Sequence, residues 1–210
     1  MMKMDFSQVD YQWFQTINQL GDTIAVLNPI MRFFASYAEY VFYLGIVLYW
    51  FTRQEVKRRM VGEAIIAACA AFAFGGLLSH FFYRDRPFVA HQIIQLIAHP
   101  ANASFPSDHA IGAFVIATSI WIYRRKDGKI WLALAACIAF SRIWTGVHYP
   151  SDVLAGALIG STAAVLVHQL FKRSTLAQKV MMTVIQGYET VESKIWRRNR
   201  ATSSVSKKSV

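Results

Sequence analysis

The sequence has little charge, little proline and almost no cysteine. Only 16% of its 210 residues are charged and 55% are hydrophobic, whereas soluble globular domains carry about 25% charged residues. This composition excludes a disordered chain and is typical of a membrane protein. With 11 glycines and 5 prolines the chain is not collagen-like. Cys69 and Cys137 each lie inside an apolar run, so a disulfide scaffold or a cysteine metal site is not expected.

The positive charge is concentrated in three blocks. A net charge of +10 would ordinarily suggest a nucleic-acid partner. However, most of the 22 basic residues lie in 52–60, 124–129 and 172–210, between or after apolar segments. Cytoplasmic connections of membrane proteins are enriched in Lys and Arg, so the blocks report membrane orientation. We therefore expect no nucleic-acid partner and a membrane bilayer as the surroundings.

Several apolar stretches are long enough to cross a bilayer. A spanning helix needs about 20 apolar residues, and five stretches reach or approach this length: 30–51, 61–82, 107–123, 130–147 and 152–171. Five spans place all three basic blocks on the cytoplasmic side, and they place the N-terminus and the intervening connections outside. The pattern predicts an all-α, polytopic helical bundle in the membrane.

The two ends of the chain read differently from the spans. Residues 5–28 place apolar side chains at helical spacing, which predicts an N-terminal helix lying in the membrane interface. The alternative is a sixth, weakly hydrophobic span, so the bundle has five or six. No cleavable signal peptide is recognisable, and we expect the N-terminus to be retained. Residues 172–210 predict a basic amphipathic cytoplasmic tail, either lying on anionic lipid or forming a solvated helix that frays after Ala201.

Three outward segments carry residues suited to phosphate chemistry. They are Arg84-Asp85-Arg86-Pro87, Pro106-Ser107-Asp108-His109, and the run from Ser141-Arg142 through His148 to Asp152. The predicted topology places all three on one side of the membrane. A site there would be assembled by the folding of the bundle.

Phosphate binding requires fixed donors. Arg86 and Arg142 each carry a planar guanidinium that matches phosphate oxygens. Ser107 adds a hydroxyl, and a helix that starts at 107–110 would aim free N–H groups at the same anion.

Phosphoryl transfer also requires a nucleophile and a proton carrier. His148 is neutral near pH 7, and Asp152 lies one helical turn later, where a carboxylate fixes the tautomer and stabilises the imidazolium. His109 remains to protonate the leaving oxygen and then to activate water.

These segments resemble the motifs of the type 2 phosphatidic acid phosphatase superfamily. Ser141-Arg142, five residues, His148, three residues and Asp152 reproduce its third motif. Pro106-Ser107-Asp108-His109 is similar to its Pro-Ser-Gly-His element. The first motif retains Arg86-Pro87 but has Ser79 where the family has Lys. Arg84 or a water-bridged Ser79 is the candidate replacement.

The resemblance implies a lipid phosphatase domain in residues 1–171, with His148 as the nucleophile of a phosphohistidine mechanism. It implies Asp152 as the partner of His148, His109 as the acid, and no metal or cofactor. The implied phosphate-binding residues are Arg86, Ser107 and Arg142, with Arg84 in the place of the missing Lys.

Within the superfamily the chain is most similar to the BcrC-type bacterial undecaprenyl-diphosphate phosphatases. That branch regenerates the cell-wall carrier lipid outside the cytoplasmic membrane and gives bacitracin resistance, so a polyprenyl diphosphate is the expected substrate. The alternatives are another lipid phosphate, such as phosphatidylglycerol phosphate or phosphatidic acid, or a lipid-diphosphate binding or transport protein without catalysis. The sequence does not indicate an oligomeric state or a prenyl chain length.

Three further features have more than one interpretation. Glu39 lies inside the first predicted span, where an ionisable group either serves the site or pairs two helices. Asp108 either pairs with an arginine, orients His109 or caps a helix. Gly156-x-x-x-Gly160 is a close-packing face, either within the chain or between protomers.

Overall fold

The computed structural model describes residues 5–206, with side chains described for 5–195. Every regular element in that range is helical, which confirms the predicted all-α class. The last four residues of the predicted tail lie outside the described range. The helices are α1 (Phe6–Asn18), α2 (Leu20–Thr23), α3 (Asn28–Ser36), α4 (Ala38–Phe51), α5 (Glu55–Phe81), α6 (Pro87–Ala90), α7 (Asp108–Tyr123), α8 (Arg125–Trp144), α9 (Pro150–Arg173) and α10 (Thr175–Ser206), with a short 3-10 turn at Ala25–Leu27.

Two helices are long and apolar enough to cross a membrane by themselves. These are α5 and α9, and α7 is a shorter apolar helix. The predicted first span, 30–51, is not one straight helix, because Ala25–Ser36 and Ala38–Phe51 meet at an angle of 46°. If that bent pair is one span, the described residues contain three clear spans.

The short helix α7 forms the centre of the bundle and packs against α5, α8 and α9. It is buried around most of its circumference, as expected for a helix that is apolar on all sides. Two glycines of α9 allow close contact with α7. A Cβ on Gly156 would lie 2.6 Å from the carbonyl oxygen of Ser107, and one on Gly160 would lie 2.5 Å from that of Ile111. The predicted glycine face is therefore internal to the chain.

Helix α1 buries a stripe of mixed polarity against the protein. It ends at Asn18, so the predicted helix over 5–28 is shorter than expected. Three side chains of this stripe are buried, namely Asp10, Phe14 and Asn18. The opposite side exposes both apolar and polar side chains, such as Phe6 and Gln15, which suits a membrane interface.

Helix α10 packs along the opposite end of the bundle, against α5 and α9. Its Met181 and Ile185 are buried. Arg58 of α5 is also buried, and its two terminal nitrogens lie 2.8 Å from carboxylate oxygens of Glu189 and Glu192. The first part of the predicted tail is thus docked on the helical bundle by apolar contacts and ion pairs.

Candidate active site

The three predicted segments meet at one end of the bundle. The site lies where the chain following α5, the start of α7 and the α8–α9 connection come together. The backbone N–H of Ser107 donates to the carbonyl oxygen of Asp152 at 3.1 Å. Nη1 of Arg86 lies 3.0 Å from Nε2 of His148. Residues that are distant in the sequence are therefore in direct contact, as expected for three segments on the same side of the membrane.

His148 and Asp152 form a buried pair. Nδ1 of His148 lies 3.5 Å from Oδ2 of Asp152. The carboxylate is held in place, because Oδ2 also accepts the backbone N–H of Tyr149 at 2.9 Å and the hydroxyl of Ser104. Pro150 starts α9, so Asp152 occupies the third helical position, from which a carboxylate reaches back to the N-terminus. Helix capping and the orientation of His148 use the same side chain.

Arg86 determines which ring nitrogen of His148 is available. A guanidinium N–H can only donate, so Nε2 of His148 accepts from Arg86 and Nδ1 carries the proton toward Asp152. Burial lowers the pKa of His148 to about 4, against the opposing effect of Asp152. The imidazole is therefore neutral at pH 7, with its lone pair on Nε2. Arg86 is itself fixed by Asn102 at 2.9 Å and by the carbonyl oxygen of Ala103 at 3.1 Å.

Arg142 and Ser107 present buried donors that have no partner among the described residues. Arg142 is 1% exposed, and its Nη1 donates to the carbonyl oxygen of Ala35 at 2.6 Å. Its Nε and Nη2, and the hydroxyl of Ser107, are buried without a hydrogen-bond partner in the described part of the chain. Unpaired buried donors destabilise a fold, and a bound anion would satisfy all three.

His109 lies beside a carboxylate from another helix. Its Nε2 is 3.4 Å from Oε2 of Glu39 in α4. The hydroxyl of Tyr43 lies 3.4 Å from the same oxygen. Glu39 therefore joins two helices at a predicted catalytic side chain. The pairing of two helices by Glu39 is thus seen, whereas a role of Glu39 in the site stays a prediction.

Asp108 does not cap α7. Ser107 occupies the N-cap position, and Asp108 is the first helical residue. The capping interpretation of Asp108 is therefore wrong. Asp108, His109 and Glu39 line the same small recess between α4 and α7.

Arg84 is held on the other side of Asp152. Its Nη1 lies 2.7 Å from Oδ2 of Asp10, 2.8 Å from the hydroxyl of Ser151 and 3.3 Å from Oδ1 of Asp152. Its guanidinium carbon also lies 3.6 Å from the centre of the Tyr149 ring. The binding of phosphate by Arg84 stays a prediction, because these contacts involve protein groups.

Sequence reasoning missed Ser104, Asn102 and Asp10. Ser104 and Asn102 lie in an irregular connection just before the second motif, and nothing in their spacing marked them. Asp10 lies in the segment predicted as an interfacial helix, and its role there is not evident from the sequence. A signal was present, since a carboxylate near a membrane needs a partner, but the sequence did not identify that partner.

The described residues contain no cluster of side chains suited to bind a metal ion. No group of three or more His, Cys, Asp or Glu side chains in residues 5–195 is placed to hold a metal ion. Two imidazoles, three guanidiniums and hydroxyl donors lie at this end of the bundle together with several carboxylates, and the guanidiniums and hydroxyls are the donors that fit a phosphate ester.

Sequence comparison agrees with this geometry. Residues 60–176 match the PAP2 superfamily. The chain is 38% identical over 193 residues to the bacitracin transport permease protein BcrC of Bacillus licheniformis, covering 91% of this chain and 93% of that protein. The chain belongs to the PAP2 superfamily. The resemblance predicted from the three motifs is confirmed, and the PAP2 match contains every predicted site residue.

Two further relatives extend the PAP2 assignment. The undecaprenyl-diphosphatase BcrC of Bacillus subtilis (strain 168) is 34% identical over 190 residues, covering 90% of this chain and 97% of that protein. The crystal structure of Aquifex aeolicus LpxE superposes with a TM-score of 0.67 at 27% identity, covering 80% of this chain and 99% of that chain. The PAP2 match begins within α5, so α1 to α4 precede it.

Proposed function

We propose that this PAP2 protein is a membrane lipid phosphatase that hydrolyses undecaprenyl diphosphate to undecaprenyl phosphate and inorganic phosphate. The observation that carries the proposal is the set of buried, unpaired donors on Arg142 and Ser107 beside a neutral His148. The substrate is assigned from the relatives, one of which is named an undecaprenyl-diphosphatase.

The terminal phosphate binds among the unpaired donors. Nε and Nη2 of Arg142 and the hydroxyl of Ser107 donate to its oxygens. When substrate binds, one N–H of Arg86 turns away from Nε2 of His148 and donates to the same phosphate. This leaves the lone pair on Nε2 free to react. Arg84 supports the phosphate through Nε and Nη2, because its contacts to Asp10, Ser151 and Asp152 use Nη1.

Nε2 of His148 then attacks the terminal phosphorus. A bond forms between Nε2 and phosphorus, and the bond from phosphorus to the bridging oxygen breaks. The positive charge that develops on the ring is stabilised by Asp152 through Nδ1–H. The product of this step is a phosphohistidine and the departing undecaprenyl phosphate.

His109 carries the proton in both halves of the reaction. It donates a proton to the leaving bridging oxygen, and then accepts one from the water that attacks the phosphohistidine. The phosphorus–nitrogen bond breaks, inorganic phosphate leaves and His148 returns to its neutral state. Glu39 lies in position to hold the protonated form of His109. The scheme uses no metal ion and no cofactor.

The site faces the outside of the bacterial cytoplasmic membrane in this proposal. Five spans, formed by the bent pair α3–α4 and by α5, α7, α8 and α9, keep the basic blocks on the cytoplasmic side, and α1 lies in the outer interface. A sixth span would move only the N-terminus. Such a multi-pass enzyme would recycle the cell-wall carrier lipid and give bacitracin resistance.

The proposed domain boundary separates residues 1–171 from the basic tail. Exposed apolar side chains of α10, including Leu176, Val180 and Val184, face away from the bundle. These apolar side chains, with Lys179 of α10 and Lys172 in the last turn of α9, suit a tail helix that rests on anionic inner-leaflet lipid.

The proposal is tested by phosphate release from the purified protein in detergent. Undecaprenyl diphosphate, phosphatidylglycerol phosphate and phosphatidic acid are offered separately. We expect the highest kcat/KM with undecaprenyl diphosphate. A higher value with another lipid would reassign the substrate, and binding without phosphate release from any lipid would indicate a non-catalytic lipid-diphosphate protein.

The nucleophile is tested by His148→Ala. We expect turnover to be abolished, because no other described side chain lies at the same position against Arg86 and Asp152. His80→Ala is the matched control, since His80 is an exposed residue at the end of α5. Near-normal turnover in His148→Ala would refute the phosphohistidine mechanism.

A further inference from the structure

Asp10 is a buried carboxylate on a helix that lies outside the PAP2 match. It is 5% exposed, although it belongs to a short N-terminal helix with exposed apolar side chains on its other face. Burying a carboxylate is costly unless it is paired. The side chain must therefore have strong partners within the bundle.

The partners of Asp10 are the two side chains next to the catalytic carboxylate. Its Oδ1 accepts the backbone N–H of Ser151 at 2.9 Å, and its Oδ2 accepts the hydroxyl of the same residue at 2.6 Å. Oδ2 also lies 2.7 Å from Nη1 of Arg84. The same nitrogen of Arg84 lies 3.3 Å from Oδ1 of Asp152. A continuous series of contacts thus runs from Asp10 through Arg84 and Asp152 to His148.

Helix α1 is fixed firmly enough to place this carboxylate. Phe14 is fully buried, and its ring lies 5.5 Å from that of Tyr149. At the end of the helix, the amide of Asn18 donates to the carbonyl oxygens of Ile94 and Trp144 at 2.8 and 3.0 Å and accepts the N–H of Ile94 at 3.0 Å. Asp10 lies one helical turn before Phe14, on the same buried face of α1, so its position is set by this packing.

The charges in the series explain what Asp10 contributes. Arg84 paired with Asp152 alone would draw the negative charge of that carboxylate away from the imidazolium that forms on His148. A second carboxylate, that of Asp10 on the same Nη1, shares the positive charge of the guanidinium. The bonds from Asp10 to Ser151 also fix the first turn of α9, from which Asp152 projects.

We propose that Asp10 is a positioning residue for the phosphatase reaction, acting through Arg84 and Ser151 on the His148–Asp152 pair. The inference rests on the proposed function, because it concerns the same site. Asp10 does not contact substrate in this proposal, but it holds Arg84, which supports the phosphate. Its loss should therefore lower kcat by a larger factor than it raises KM.

The test is a double-mutant cycle on the full-length protein in detergent. Asp10→Asn, Arg84→Gln and the double variant are assayed on the lipid phosphate that the wild type hydrolyses best. Asp10→Asn is expected to lower kcat by about tenfold to a hundredfold, the scale of a slightly misplaced reacting group. In the Arg84→Gln background the same substitution should lower kcat by a clearly smaller factor, because only its bonds to Ser151 are still there to be lost. Asp10→Glu, which keeps the charge, should recover part of the loss.

Asp22→Asn is the matched control, because Asp22 is an exposed carboxylate on the neighbouring helix α2. It should leave kcat unchanged. Wild-type kcat in Asp10→Asn, additive effects in the cycle, or loss of the folded species on size-exclusion chromatography would each overturn the positioning role. Absence of phosphate release by the wild type would instead overturn the proposed function, so the two failures are distinguishable.

Discussion

The two ends of the bundle each contain a fully buried arginine, and the two arginines differ in their partners. Arg58 and Arg142 are both 1% exposed. At the end that contacts α10, Arg58 uses all three kinds of guanidinium nitrogen, donating to Glu189, Glu192 and the carbonyl oxygen of Trp50. At the end that holds the candidate site, Arg142 has one backbone partner, and its Nε and Nη2 are unpaired among the described residues.

The difference distinguishes an arginine whose donors are all paired within the fold from one that has buried donors free for a ligand among the described residues. A buried donor without a partner costs about 1–3 kcal/mol, more when it is charged. The α10 end of the bundle avoids that cost by pairing Arg58 with carboxylates. The candidate-site end carries it, and a phosphate is the kind of ligand that would offset it. The same residue type is therefore fully paired at one end of the bundle and partly unpaired at the other.

The largest expected effect is that of Arg142→Gln on turnover. The substitution removes buried donors that would bind the substrate phosphate, so kcat/KM should fall by about a hundredfold to a thousandfold. The melting temperature of the ligand-free protein should not fall, since an unpaired buried charge is removed. Phosphate release and thermal unfolding in detergent measure the two quantities. A large fall in melting temperature with normal turnover would make Arg142 structural, and the comparison of the two ends would fail.

The next effect concerns the close contact between α7 and α9 at the candidate site. Gly156→Ala would place a Cβ 2.6 Å from the carbonyl oxygen of Ser107. The start of α7 would have to move away from α9, and kcat should fall by about tenfold or more. Gly76→Ala is the matched control, because a Cβ there meets nothing within 4 Å. Equal kcat values for the two variants would show that this close contact does not set the site geometry.

Arg58→Gln should have the opposite profile to Arg142→Gln. It removes both ion pairs to α10, so the melting temperature should fall by several degrees. Turnover should stay within about twofold of wild type, because Arg58 lies at the end of the bundle away from the site. Thermal unfolding and phosphate release are again the measurements. Lost turnover with an unchanged melting temperature would show that Arg58 has a functional role.

The smallest expected effect is that of chelation. Activity should persist in EDTA, since the proposed nucleophile is an imidazole and the phosphate charge is matched by arginines. Phosphate release is measured before and after treatment with EDTA, with inactive His148→Ala as the background. A reversible loss of activity would require a metal ion in the mechanism.

The positioning of the site was less predictable than its chemistry. Motif spacing selected His148 and Asp152 as candidates, because a separation of four residues is a local property of the chain, and the structure places them 3.5 Å apart. Asp10 was not recognised as part of the site, since its hydrogen bond to Ser151 joins residues 141 positions apart. The predicted span over 30–51 was likewise found as a bent pair, because composition indicates an apolar segment but not its direction.

The sequence alone determined the membrane character, the helical class and which side chains are candidates for the site, since these depend on composition and on neighbours a few residues apart. The tertiary structure decided which face of α1 turns inward, that Gly156 and Gly160 pack within the chain, and that Arg58 is paired whereas Arg142 is not. These outcomes depend on how helices rotate and pack against one another. Hydrophobic periodicity does not specify that rotation when lipid and protein interior are both apolar.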